Sequence, residues 1–131
     1  MQAINKIIWT TLLAATGLGA AAPALTHHSF AMFDNTKEVE LQGTVKEFQW
    51  TNPHTWIQLM VNENGKEVEY SIEGASPNGL VRKGWSRNIL KPGDQIKITI
   101  HPLKEGAAGG AFVKATLPDG RILTDQGVST P

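Results

Sequence analysis

The 131 residues contain no cysteine. That absence excludes disulfide stapling, thiol catalysis, blue-copper thiolate sites, covalent haem attachment and a lipid-modified cysteine anchor. Net charge is also missing, with 12 Lys and Arg against 12 Asp and Glu, and no basic run is present. Phosphate contacts require clustered cations, so this balance leads to the expectation that nucleic acid is not a partner. Internal repeats are absent, and low complexity is confined to Gly106 to Ala111. No Gly-x-Ser-x-Gly elbow, HExxH pair or Gly-Lys-Ser/Thr phosphate cradle occurs, so no catalytic motif supports an enzyme.

The amino terminus carries a clear pattern. Lys6 is the one cation of a short leading region, Ile7 to Leu18 is apolar apart from threonines and Gly17, and Ala20 to Ala24 supplies small residues. Together these read as a secretory signal over residues 1–24, cut after Ala22-Pro23-Ala24 to leave Leu25 first. The rival is an uncleaved anchor, since Ile4 to Leu25 approaches the roughly 20 apolar residues of a span; its glycines, threonines and alanines favour cleavage. The expected location is periplasmic or secreted, with no stable membrane anchor after processing. An extended segment 25–38, a folded domain 39–125 and a flexible tail 126–131 complete the expected organisation.

Hydrophobic period makes the domain all-β with one short helix. From Val39 the inward positions are odd through Leu41, Gly43 and Val45, then even at Phe48 and Trp50, which implies a bulge near Lys46-Glu47. His54 to Val61 reads as a second strand, and Asn64-Gly65 as a hairpin turn into a third, where Val68, Tyr70 and Ile72 alternate with acidic residues. Ser76 as N-cap and Pro77 at the first helical position start a helix whose buried side is expected to be Leu80, Val81 and Trp85. Pro92-Gly93 leads into a fourth strand with Ile96, Ile98 and Ile100 inward. After a glycine-rich loop, a fifth runs from Phe112 to Leu117, and Pro118-Asp119-Gly120 turns into a short Arg121 to Thr124 strand. Three strands, a helix, then two strands is the order of an OB-like barrel of five to six strands, with a small sandwich as runner-up.

Several motifs also carry a family resemblance. His27-His28-Ser29-Phe30-Ala31-Met32-Phe33-Asp34, Gly43-Thr44-Val45, Trp50-Thr51-Asn52-Pro53-His54, Gly74-Ala75-Ser76-Pro77-Asn78-Gly79-Leu80, Gly93-Asp94 and His101-Pro102 resemble a domain-of-unknown-function family of small exported bacterial proteins. The resemblance covers nearly all of the chain beyond the leader. It implies an exported single domain, and no activity comes with it.

The chemistry worth weighing lies in the four histidines. With Leu25 first, Leu25-Thr26-His27 offers an amino nitrogen, two amide nitrogens and an imidazole that can wrap a square-planar Cu(II) or Ni(II) ion. The alternative is a mobile terminus in which His27 and His28 are simply solvated. In an OB-like barrel His54 and His101 lie near the loops that flank the usual ligand face. With His27 or His28 folded back, a divalent metal site, copper foremost, becomes the first binding candidate, helped by a carboxylate such as Asp34 or Glu47. Against this, Asn-Pro-His and His-Pro also read as ordinary turn and strand-end residues. The second candidate is a mouth formed by Trp50 and Trp56 with Asn52 and His54, suited to a small apolar ligand or a protein partner; here the alternative is that both rings belong to the core, Trp50 with Phe48 on one face and Trp56 on a strand buried on both sides. Glu67, Glu69 and Glu73 share one face and read as the solvated side of their strand. Arg82, Lys83 and Arg87 read as a solvated cluster around the helix.

Overall fold

The computed structural model describes residues 30–131. The leader, Leu25, His27 and His28 lie outside the described residues.

Among the described residues, seven strands follow a 3-10 turn at Phe30–Met32. They are β1 (Val39–Gln49), β2 (Trp56–Glu63), β3 (Lys66–Glu73), β4 (Gln95–Pro102), β5 (Gly109–Thr116), β6 (Ile122–Thr124) and β7 (Gly127–Ser129), with one helix, α1 (Pro77–Val81), between β3 and β4. The sheet order is β3, β2, β1, β4, β5, β6, β7, and a parallel pairing of β3 with β5 closes the first five strands into a barrel. Order, closure and helix position are those of an OB-like barrel.

Alternation explains what fills it. Leu41, Val45, Ile57, Leu59, Ile72, Ile96, Ile98, Ile100, Ala115 and Leu123 are buried in one cluster. Each fully buried branched side chain contributes about 1.5–3 kcal/mol of transfer free energy. The expected phase switch in β1 is present as a register shift between Val45 and Glu47 against β2. Asn64 and Gly65 adopt φ of 54° and 86°, the positive pair that a two-residue hairpin requires.

Three details differ from the sequence reading. Val81 is exposed, while Leu80 and Trp85 are buried, because α1 has only five residues and presents one narrow side to the barrel. The glycine-rich stretch is not wholly a loop: β5 starts at Gly109, where Gly109 and Gly110 pair with Ser71 and Ile72. A Cβ on Gly109 would stand 2.6 Å from the Ser71 carbonyl, so the closing strand approaches β3 only without side chains. The expected tail also contains β7, which pairs Val128 with Leu123 and extends the sheet beyond the barrel.

Gly43 meets the same constraint inside β1. It is paired with Val61 on one side and Ile96 on the other, and a Cβ there would run into the Met60 carbonyl oxygen. Gly43→Ala is therefore expected to lower the unfolding free energy by about 1–3 kcal/mol. Urea denaturation beside Gly65→Asn, whose open position tolerates a positive-φ residue, measures the difference.

Candidate functional site

One end of the barrel holds a mostly apolar pocket of about 260 Å³. Its size lies between the roughly 150 Å³ that takes benzene and the lower limit of about 300 Å³ for ordinary ligand sites. A one- or two-ring molecule fits that range. Phe33, Ile57, Leu80, Trp85 and Phe112 form its apolar walls, and His54, Glu73 and Asp125 are its ionisable groups.

Each wall is fixed by local structure. Phe33 is brought over by an antiparallel bridge to Leu103, with the Asp34 amide donating to the Pro102 carbonyl at 2.8 Å. Trp85 is buried, stacks edge-on with Phe112 at 5.4 Å between centroids, and donates its indole N–H to the Thr124 carbonyl at 2.9 Å. Thr124 also shapes the β6–β7 turn, its hydroxyl accepting from the amides of Gln126 and Gly127, and so sets exposed Asp125 at the rim.

The polar group of the pocket is a histidine on a carboxylate. His54 Nδ1 lies 3.1 Å from the Gly74 carbonyl oxygen and 3.3 Å from Glu73 Oε1. Both neighbours are acceptors, so Nδ1 carries the proton, and in the neutral ring Nε2 holds the lone pair. The Glu73 side chain is only 10% exposed, whereas Glu67 and Glu69 on the same strand are exposed. The expectation of a uniformly solvated acidic face therefore holds for those two and not for Glu73. Its difference arises because Glu73 pairs with Ala111 across the β3–β5 closure, beneath the β1–β2 loop that carries His54. Thr55 is committed elsewhere, its hydroxyl donating to the Ala75 carbonyl at 3.0 Å.

The other residues singled out in the sequence have different positions. Trp50 packs partly on the core, edge-on to Phe48 at 5.6 Å, and Trp56 is half-buried opposite Glu73. Neither indole nor Asn52 lines the pocket; Trp85 and Phe112 supply its aromatic surface. His101 is half-buried on β4, its Nδ1 donating to the Lys37 carbonyl at 2.7 Å. Among the described residues no group of three or more His, Asp or Glu is placed to hold a metal ion. Sequence reasoning missed Phe33, Glu73, Phe112 and Asp125 as site residues, and alternation alone carries no signal that separates Glu73 from its exposed neighbours.

A second, more open hollow of about 330 Å³ is lined by Lys91, Asp94, Asp119 and Arg121 among others. Both of its carboxylates are answered locally. Asp94 accepts from the Lys91 amide at 2.9 Å, and the Arg121 backbone N–H, then its guanidinium, hold the Asp119 carboxyl below the ordinary range. The histidine pocket holds two carboxylates to one imidazole.

With this geometry described, comparison places the chain. It belongs to DUF6152, a family of unknown function. The match covers residues 16–112, which include most of the barrel and every pocket residue except Asp125. No curated protein matches. Among solved structures, the DUF6152 protein is similar to a mitochondrial single-stranded DNA binding protein from S. cerevisiae at 9% identity and a TM-score of 0.48, covering 64% of this chain and 96% of that one. The exclusion of nucleic acid drawn from net charge is corrected by this finding, since a protein of similar fold has that ligand in its name. At that identity and score the likeness brings no ligand to the DUF6152 chain.

The Asp34 clamp gives a pH prediction. Its carboxylate accepts from the Thr36 hydroxyl at 2.6 Å and pairs with Lys37 at 3.0 Å, and these contacts lower its pKa from 3.8 to about 2. A depressed folded-state value means that this stabilisation is complete above the unfolded value and is lost as pH falls from about 4 through about 2. A carboxyl-carbon NMR titration is expected to place the Asp34 midpoint near 2, and Asp34→Asn is expected to flatten the acid limb of stability in that window.

Proposed function

We propose that this barrel is a small-molecule-binding module of the periplasm or secreted space, which takes a one- or two-ring ligand into the pocket between Trp85, Phe112 and His54. The observation that carries the reading is the pocket itself: a preformed apolar hollow with aromatic walls and a few convergent polar groups, the usual composition of a ligand site. The export pattern of residues 1–24 supports the location. Binding is favoured over catalysis because the imidazole and carboxylate have no free hydroxyl nucleophile beside them, the Thr55 hydroxyl being spent on Ala75.

The sequence placed copper or another divalent metal first, through His27, His28, His54 and His101. The geometry supports that order less well. The Nδ1–H held by a carbonyl leaves Nε2 of each ring able to ligate, but no group of three or more His, Asp or Glu among the described residues gathers around either one. A protein partner on the Trp50 and Trp56 side has less support than the pocket, which neither indole lines.

Indole is a suitable neutral probe. In a ¹H–¹⁵N titration, shifts are expected to concentrate on the Trp85 side-chain N–H and on the amides of Thr55, Gly74, Ala111 and Phe112. Ala111→Leu narrows the pocket and is expected to weaken the interaction at least about fivefold. Shifts confined to another face, unaffected by that substitution, would remove the reading.

A further inference from the structure

We infer that the ligand of this pocket is a cationic amine carrying a ring, its ammonium group taken by Glu73; the inference rests on the pocket reading above. The lining contains two carboxylates, Glu73 and Asp125, one imidazole, and no lysine or arginine. Whether His54 is neutral or protonated, the ionised lining is negative overall, because a single imidazolium offsets only one of two carboxylates. Anionic ligands therefore meet repulsion without a fixed cation to offset it.

Hydrogen-bonding capacity points the same way. The Glu73 carboxylate can accept about four hydrogen bonds, yet its one charged neighbour among the described residues is His54 Nδ1 at 3.3 Å. That N–H also faces the Gly74 carbonyl at the shorter distance of 3.1 Å. No sealed side-chain oxygen among the described residues lacks a partner, so the Glu73 oxygens that His54 does not answer stay open to the pocket, where a ligand donor can reach them. Three ammonium hydrogens arriving through the pocket supply what a shared imidazole N–H does not.

The remaining polar atoms fit this assignment. The Thr55 amide and hydroxyl both donate to the Ala75 carbonyl, so neither is left to greet an acceptor group on a ligand. Asp125 stands exposed at the rim, where it draws a cation toward the mouth without paying a desolvation cost. The indole of Trp85 and the ring of Phe112, packed edge-on to each other, then cover the apolar body.

Three probes of one shape test the inference: phenethylamine, 2-phenylethanol and 3-phenylpropionate, titrated by NMR and calorimetry. The amine is expected to bind at least about tenfold tighter than the alcohol, with the acid weakest. Glu73→Gln is expected to bring the amine down to the alcohol's affinity while leaving the alcohol unchanged. Asp125→Asn, on an exposed turn that does not limit folding, is expected to weaken the amine alone by about two- to threefold and to reduce its salt dependence. Equal affinity for amine and alcohol, or preference for the acid, overturns the inference and leaves the pocket reading standing. Failure of all three to shift any pocket resonance at millimolar concentration overturns both.

Discussion

Strand β1 is hydrogen-bonded along both of its edges, to β2 over one stretch and to β4 over another, and the rest of the molecule depends on that double use. Eleven residues cannot serve two neighbours around a closed surface while remaining flat. The bend comes from two local devices. The bulge between Val45 and Glu47 re-aims the strand so that Phe48 faces the same interior as Val45, and Gly43 lets the β2 backbone approach where any side chain would block it. Once β1 curves, β3 and β5 are brought side by side in parallel, and the cylinder closes.

Closure creates the site. The β3–β5 contact is made by Gly109 and Gly110, whose missing side chains bring the two backbones together, and the next register position joins Glu73 to Ala111. The small Ala111 leaves room above the ladder, and the loop between β1 and β2 places His54 over Glu73. Leu80 and Trp85, delivered by α1 and the turn after it, fill the barrel end only partly. The hollow is thus a consequence of how the barrel is shut, with rigid strands on one side and a short helix and the β6–β7 turn on the other.

The sequence made this architecture readable wherever a side chain records the direction of its face. The change from odd to even inward positions between Val45 and Phe48 revealed the bulge, Asn64-Gly65 the hairpin, and Ser76-Pro77 the helix start, whose Ser76 hydroxyl accepts from the Gly79 amide as an N-cap should. Legibility failed where that record is blank or incomplete. Gly109 and Gly110 have no side chain to alternate, so the opening of β5 resembled a loop. Gly127 to Ser129 is too short to set a period, so β7 resembled a tail. Glu73 shows the deeper limit, because alternation tells which face a residue takes and not what lies above that face. The covering groups come from a loop near in space and from a strand 38 positions further along, at Ala111. The histidines were legible as chemistry but not as a constellation, since His54 and His101 are each held by a different carbonyl.

An OB-like barrel of this size can be filled completely by aliphatic side chains, and most of this one is. At one end it instead retains a carboxylate that is 10% exposed, with the His54 Nδ1 at 3.3 Å, and no sealed side-chain oxygen among the described residues lacks a partner. An apolar residue of similar volume at position 73 would serve the packing at least as well. The fold does not demand Glu73: the barrel interior is occupied by its neighbour Ile72, and the strand ladder depends on backbone groups alone. A group that the strand ladder does not require, placed in the wall of an apolar hollow, is the feature on which the proposed ligand reading rests. Fold and site therefore separate cleanly in this chain. Gly43, the β1 bulge and the β3–β5 glycines account for the barrel, while Glu73 and His54 give the hollow at its end polar groups that the barrel itself does not need.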